Sequence, residues 1–224
     1  MSTFTTAYRD PDRAGDAIGH DDARALLGRV MGYVAVTGGF TALGAYLGRD
    51  LSGATGLLLF VGAFAAILGL NVAVARGRER LAIGLLFGLG LLLGLAVAPV
   101  IADYASADPS AVWQAAGATA AFVAALGAYG YATRRDVSAW ERPLFWALLG
   151  LIVFGLVAIL VSIPGSHVIY AVAGIAIFGG FTIIDFNRLR RGTSDSAVPI
   201  AASIFLDIFN VFLLGLDLLG GRRD

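Results

Sequence analysis

Residues 178–219 read FGGFTIIDFNRLRRGTSDSAVPIAASIFLDIFNVFLLGLDLL, and they contain two apolar segments that each carry one aspartate. The aspartates are Asp185 and Asp207, and an arginine-rich stretch separates the two segments. A carboxylate inside a membrane-length apolar run is costly, and such residues mark functional sites and need a partner. Each aspartate is the obvious partner of the other. We therefore expect the rest of the chain to be the scaffold that brings them together.

The composition is that of an integral membrane protein. Of the 224 residues, 58% are hydrophobic and 14% are charged, and several unbroken apolar runs extend over about 20 residues. Cysteine is absent, which excludes disulfide and thiol chemistry. A formal net charge of zero argues against a nucleic-acid partner. Lysine is absent too, which excludes a retinal protein, because retinal needs a lysine for its Schiff base.

The chain divides into a polar tail and a membrane domain. Residues 1–28 are polar and charged, and we expect a flexible cytoplasmic tail there rather than a signal peptide. Residues 29–221 are expected to form an all-α bundle of seven transmembrane helices with the last helix at its centre. Each predicted helix is long enough to cross a hydrocarbon core of roughly 30 Å. These helices are predicted at residues 29–48, 54–75, 81–101, 111–132, 143–164, 167–186 and 198–219.

The arginines predict the orientation. The connections after the second, fourth and sixth helices are rich in arginine, whereas the alternate connections are nearly free of it. Because positively charged loops stay in the cytoplasm, we expect a multi-pass protein of the cell membrane with a cytoplasmic N-terminus and an external C-terminus. Arg222 and Arg223 then lie on the side that this rule disfavours.

Glycine pairs with GxxxG spacing recur in the first and third predicted helices. This spacing lets helix backbones approach closely. We interpret the pairs as sites of ordinary tight packing rather than as a dimer face. They are Gly28/Gly32, Gly44/Gly48, Gly84/Gly88 and Gly90/Gly94.

The last predicted helix carries a polar stripe. At about 100° per residue, its polar residues fall within an arc of roughly 80°, and the remaining surface is apolar. The stripe consists of Ser203, Asp207, Asn210 and Asp217. Because unpaired polar groups that face lipid cost several kcal/mol, this helix is expected to lie inside the bundle or to line a water-filled path.

Two carboxylates held close together in a low-dielectric site cannot both ionise easily, and their titration is coupled. Such a pair shares a proton, accepts an arginine or holds a cation. Calcium takes about six to eight oxygen ligands, and the two aspartates with Ser203 and Asn210 supply only part of that set. A transient calcium site fits better than a tight one. The simpler alternative pairs Asp185 with Arg188, one turn later, at the membrane edge.

The sequence also resembles a known family. FTIIDFNRL, residues 181–189, is similar to the YDxQ/N signature in helix six of the Bax inhibitor-1 (transmembrane Bax inhibitor motif, TMBIM) family. AASIFLDIFNVFLLGLDLLG, residues 201–220, is similar to the terminal helix of that family. The seven-helix plan and the segment RGRERLAIGLLFGLGLLLGLAVAPV, residues 76–100, are similar as well. The resemblance covers nearly all of residues 25–221.

The resemblance implies a last helix surrounded by the other six and a pH-sensitive calcium leak channel of the bacterial type. In that type, two aspartates near the cytoplasmic side form a hydrogen-bonded gate and proton sensor, and the matching residues here are Asp185 and Asp207. The family also places an arginine at the cytoplasmic end of helix two, against the helix-six aspartate. Arg78 is the best match and Arg76 the second. Calcium and protons are then the partners, and no tightly bound cofactor is expected.

The chain departs from that pattern in two places, and other function classes stay open. Residues 57–70 lack the acidic residue that the bacterial channels carry in helix two, and Asp217 stands near the end of helix seven, where a basic residue is common. A proton-coupled transporter or a membrane regulatory protein without channel activity is an alternative. An intramembrane aspartyl protease fits poorly, because residues 204–206 are Ile-Phe-Leu instead of the GxG before the second aspartate. We therefore expect a protein that is not an enzyme.

Overall fold

A computed structural model describes the backbone of residues 11–51, 53–192 and 197–221, and the side chains of residues 23–51, 55–192 and 197–221. This part of the chain is helical and contains no strand. Seven of its helices are long and apolar enough to cross a membrane. They are α1 (Pro11–Leu47), α2 (Gly53–Ala75), α3 (Glu79–Ala107), α4 (Pro109–Ala132), α5 (Glu141–Val161), α6 (Ser166–Arg191) and α7 (Ala197–Leu219), with one turn of 3₁₀ helix at Ser138–Trp140. The predicted all-α seven-helix bundle is confirmed.

Helix boundaries differ from the predicted ones where capping residues act. The third predicted helix extends to Ala107 instead of residue 101, and the next residue, Asp108, caps α4. Its carboxylate accepts a hydrogen bond from the backbone N–H of Ser110 at 3.0 Å. The fifth ends at Val161 instead of residue 164, because Ser162 takes the left-handed conformation with a φ of 53°.

The arginines predicted to form the loop after residue 186 lie instead in the last turn of α6, so the prediction of a loop there is wrong. They are Arg188, Arg190 and Arg191. Cationic side chains are favourable at a helix C-terminus, where the last carbonyl groups carry a partial negative charge. Helix α6 therefore continues beyond its apolar run until Gly192.

Helix α1 runs without interruption from Pro11 to Leu47. The boundary predicted at residue 28, between a flexible tail and the membrane domain, therefore falls inside a helix. The membrane-length part of α1 begins at Ala23. Residues 1–10 of the predicted tail, Arg222 and Arg223 lie outside the described residues.

Helix α7 lies at the centre of the bundle. Its principal neighbours are five helices, α1, α2, α3, α4 and α6, and 56% of its most apolar window is buried, the highest fraction among the spans. The core follows α7 along its length through Ile204, Phe205 and Leu216. Helix α5 lies outermost and packs mainly against α6, with only 11% of its window buried. The expectation that all six other helices surround α7 therefore holds for five of them.

The arginines of the α2–α3 and α4–α5 connections and those in the last turn of α6 lie at one end of the bundle, which we call the arginine-rich end. Ion pairs there join Arg188 of α6 to Glu141 at the start of α5, and Arg191 of α6 to Asp136 in the α4–α5 connection. Leu70 of α2 and Leu189 of α6 belong to one cluster of buried core residues, so that these parts of α2 and α6 lie at the same end of the bundle. The alternation of arginine-rich and arginine-poor segments along the sequence thus places the arginines together at one end of the bundle.

Close backbone contact joins α1 to α3. Gly90 of α3 lies against the backbone of Thr37, and Gly94 lies against the backbone carbonyl of Thr41. A side chain at either glycine would overlap these backbone atoms, which cannot rotate away. Gly44/Gly48 of α1 also contacts α3. Among the described residues, the pairs Gly28/Gly32 and Gly84/Gly88 border open space.

Substitution of Gly94 by valine should therefore destabilise the bundle by about 1–3 kcal/mol or more, because the new Cβ would meet the Thr41 carbonyl. Gly88→Val is the matched control, since the same side chain on the same helix enters open space. Thermal unfolding in detergent, followed by circular dichroism, measures the difference. Equal losses of stability in the two variants would contradict the close α1–α3 contact.

Candidate functional site

Asp185 of α6 and Asp207 of α7 face each other inside the bundle. Their exposed fractions are 3% and 4%, and each carboxyl group lies close enough to act on the charge of the other. The Thr182 hydroxyl donates a hydrogen bond to the Phe178 carbonyl at 2.9 Å and lies 3.4 Å from Asp207 Oδ2. Because its single proton is committed to Phe178, this hydroxyl can accept a hydrogen bond from Asp207 when that carboxyl group is protonated.

Asp185 is incompletely paired. Its Oδ1 lies 3.6 Å from Arg188 Nη1, while its Oδ2 is buried and has no hydrogen-bond partner among the described residues. Ser203 of α7 is its remaining polar neighbour beside Asp207. A buried carboxylate oxygen without a partner is costly. A proton or a cation at this position would supply the missing partner.

Arg188, rather than Arg78 or Arg76, is the arginine that reaches Asp185. Arg78 and Arg76 are exposed at the turn between α2 and α3, and within the described residues no ion pair joins either of them to Asp185. The expected contact between Arg78 and the helix-six aspartate is therefore absent from this conformation. The reason is the packing of α2, whose principal neighbours are α3 and α7 instead of α6.

The polar stripe of α7 is divided between two neighbouring helices. Ser203 and Asp207 face α6, whereas Asp217, near the opposite end, lies 3.4 Å from the Tyr104 hydroxyl of α3. Between them, Asn210 is half-buried and donates a hydrogen bond to the Leu206 carbonyl at 2.7 Å. Asp217 also borders two cavities, of about 590 Å³ and 820 Å³. The stripe therefore meets polar partners at its two ends.

Asn187 joins the end of α6 to the end of α4. Its side chain is fully buried, and its Nδ2 lies within 2.9–3.3 Å of the carbonyl oxygens of Gly130, Thr133 and Arg135. The last carbonyl groups of a helix have no partner within that helix, and Asn187 supplies one from outside. Its Oδ1 accepts a hydrogen bond from Arg191 at 2.7 Å, so that both ends of the amide are satisfied.

Arg191 extends this contact to the surface. Its guanidinium group binds both carboxylate oxygens of Asp136, each at 3.0 Å. The hydrogen bonds that Asp136 accepts from Arg191 and from the backbone N–H of Ser138 hold the pKa of its carboxyl group well below the ordinary value. This chain of contacts fixes the α4–α5 connection against the last turn of α6.

No group of three or more His, Cys, Asp or Glu side chains that could hold a metal occurs in the part of the chain that the structure describes. Around the aspartate pair, the additional oxygen atoms come from the hydroxyl groups of Ser203 and Thr182. Calcium takes about six to eight oxygen ligands. The oxygen atoms described around the pair are therefore too few to complete a tight calcium site.

Comparison with known proteins identifies the family. Residues 23–224 match the family model described as "Inhibitor of apoptosis-promoting Bax1". The chain belongs to the Bax inhibitor family. Both aspartates of the pair and all the membrane-length helices lie within the matched residues.

Relatives of this Bax inhibitor family protein occur in bacteria and in a virus. The inner membrane protein YbhL of Escherichia coli strain K12 is 28% identical over 184 residues, which are 75% of this chain and 77% of the relative. A protein of Deinococcus radiodurans is 27% identical over 219 residues, 91% of this chain and 93% of its own. The Golgi anti-apoptotic protein of vaccinia virus strain Lister is 34% identical over 166 residues, 73% of this chain and 68% of its own.

Sequence reasoning missed the contacts that surround the aspartate pair. Glu141, Asp136 and Asn187 each bind an arginine of α6, yet none was predicted to take part in the site. Asn187 lies inside the FTIIDFNRL motif, so that its position two residues after Asp185 was a usable signal. Glu141 and Asp136 had no such signal, because their proximity to α6 arises only from tertiary packing.

Substitution of Asn187 by alanine should destabilise the Bax inhibitor fold by about 1–3 kcal/mol, because buried carbonyl groups at the end of α4 lose their donor. Asn71→Ala is the matched control, since Asn71 is exposed and bonds only to the Ile67 carbonyl of its own helix. Chemical unfolding in detergent compares the two. Similar losses for both variants would contradict the capping role.

The depressed pKa of Asp136 predicts a pH-dependent contribution to stability. A carboxyl group whose pKa is lower in the folded chain stabilises the fold above its unfolded pKa of about 4, and that stabilisation is lost as the pH falls through the folded pKa. Asp136→Asn should therefore be less stable than the native protein at neutral pH, and the difference should narrow in acid. Thermal unfolding at a series of pH values measures this. A difference in stability between the two proteins that stays constant as the pH falls would show that the Asp136–Arg191 ion pair does not stabilise the fold.

Proposed function

We propose that this protein is a pH-sensitive leak channel for calcium or a similar cation, gated by the Asp185–Asp207 pair. The observation that carries the proposal is the burial of two carboxyl groups on adjacent membrane helices, exposed by only 3% and 4%, with Asp185 Oδ2 lacking a partner among the described residues. Carboxyl groups at such positions in membrane proteins serve ion pathways and proton relays.

In the closed state, the two carboxyl groups share one proton, and this hydrogen bond holds α6 against α7. Arg188 supports the arrangement by lying 3.6 Å from Asp185. Apolar residues adjoin the pair along α6 and α7, among them Ile184 and Ile204, which are buried to 97% or more. A hydrated cation cannot pass through such a layer while the helices stay in contact.

A change in protonation opens the gate. Loss of the shared proton replaces the hydrogen bond with two like charges. Two carboxylates about 4 Å apart repel each other by about 4 kcal/mol at an effective dielectric constant of about 20. An energy of that size shifts a two-state equilibrium by roughly a thousandfold. Separation of α6 from α7 then makes Asp207 a transient ligand of the passing cation.

The direction of the pathway rests on the arginine pattern. We assign the arginine-rich end and the N-terminus to the cytoplasm and the C-terminus to the outside. Asp217, which lies near the opposite end of α7 beside Tyr104, then offers a carboxylate to cations on the outer side. The name of the relative YbhL, an inner membrane protein, supports a place in the cell membrane.

The name of one relative favours a second function. The vaccinia relative is a Golgi anti-apoptotic protein, which suggests a regulatory membrane protein that acts on cell death without conducting ions. A proton-coupled transporter would use the same aspartate pair, because a proton shared between two carboxyl groups can operate a channel gate or couple transport to proton movement. These alternatives predict that calcium does not cross a membrane containing only this protein.

Calcium flux into liposomes that contain the purified protein tests the proposal between about pH 5 and pH 8. We expect the flux of the native protein to change severalfold over this range. Asp185→Asn and Asp207→Asn should lose that dependence, because an amide does not titrate. Asp50→Asn is the matched control, since Asp50 lies in the α1–α2 connection and its side chain is 90% exposed, and it should keep the native pH profile.

The outcomes separate the alternatives. An absence of flux at every pH, with a folded protein, would refute the channel. Calcium flux that is independent of pH in the native protein would refute the gate while leaving a pathway. A proton gradient that drives the movement of another solute, without calcium flux, would indicate the transporter.

A further inference from the structure

Arg188 is shared between a buried carboxylate and an exposed one. Its Nη2 lies 2.9 Å from Glu141 Oε2, while its Nη1 lies 3.6 Å from Asp185 Oδ1. The shorter contact is the one to Glu141, the first residue of α5. The guanidinium group therefore divides its charge between the surface and the interior of the bundle.

The two carboxylates have very different surroundings. The Glu141 side chain is 51% exposed, whereas that of Asp185 is 4% exposed. Water screens a charge at the surface far more than a charge in the interior. Water weakens the contact with Glu141, but this 2.9 Å hydrogen bond is still the shorter of the two and draws the Arg188 guanidinium group away from Asp185.

We propose that Glu141 is a positioning residue that sets the pH at which the Asp185–Asp207 pair responds, by competing with Asp185 for Arg188. The inference rests on the proposed gate and adds a regulating residue to it. Without Glu141, Arg188 is available to Asp185 alone, and a negative charge is also removed from the vicinity of the pair.

The other elements packed around Asp185 leave this competition undisturbed. Of the three arginines in the last turn of α6, Arg188 is the one that pairs with Asp185, while Glu141 acts from α5 and Asp207 acts from α7 together with the neutral hydroxyl of Ser203. Helices α1 and α4 contribute apolar side chains to the adjoining core, among them Val30 and Val123. Arg191, one turn beyond Arg188, is occupied by Asp136.

Glu141→Gln should move the pH dependence of calcium flux toward acid by about 0.5 pH unit or more, because a nearby positive charge favours the ionised carboxylate. The reason for the direction is that Asp185 then keeps its charge to lower pH. Glu79→Gln is the matched control, since it makes the same change on an exposed residue at the arginine-rich end, at the start of α3. The control should leave the pH profile unchanged.

A double-mutant cycle tests whether the effect passes through Arg188. In an Arg188→Gln background, Glu141→Gln should produce less than half of the shift that it produces in the native background. An equal shift in both backgrounds would overturn the competition, because Glu141 would then act without Arg188. Thermal unfolding of each variant verifies that the compared proteins are folded.

A second measurement separates failure of this inference from failure of the channel. Infrared spectroscopy of the purified protein follows the carbonyl band of protonated carboxyl groups, and Asp185→Asn identifies the part that belongs to Asp185. A Glu141-dependent shift of this titration, without any calcium flux, would support the competition and refute the channel. Calcium flux that depends on pH, with both readouts unchanged in Glu141→Gln, would refute the competition and leave the channel standing.

Discussion

A carboxylate cannot lie against hydrocarbon without a partner, and this constraint determines where α7 lies. Asp207 needs polar neighbours, and it finds them in Asp185 and Thr182 of α6. Outside its polar stripe α7 is apolar, so that helices can pack around it on several sides and bury more of it than of any other span. The aspartate pair and the central position of α7 are therefore two results of one requirement.

The charges at the arginine-rich end form a second layer around the pair. Arg188 of α6 binds Glu141 at the start of α5, and Arg191 binds Asp136 in the α4–α5 connection. Asn187, between the two arginines, binds the end of α4 from inside. Asn187, Arg188 and Arg191 lie within little more than one turn of α6, and they hold the end of α4, the α4–α5 connection and the start of α5 against this helix. The aspartate pair lies deeper in the bundle than these contacts.

Much of this architecture was predictable from the sequence, because membrane helices must be long and apolar and because intramembrane carboxylates need partners. Tertiary contacts were not predictable in the same way. The four GxxxG pairs have identical spacing, yet only Gly44/Gly48 and Gly90/Gly94 face another helix closely. Family resemblance favoured Arg78 as the partner of Asp185, whereas the packing of α2 against α3 and α7 leaves that role to Arg188.

Close backbone contacts also limit the mechanical freedom of the bundle. Helices α1 and α3 cannot slide past each other, because Gly90 and Gly94 fit against backbone atoms of α1. Helices α4 and α6 are locked in the same manner, since Gly130 lies against the backbone of Ile183. Both closely packed pairs also contact α7, which is the helix that they share. A separation of α6 from α7 that left both of these close contacts intact would therefore have to carry α4 along with α6.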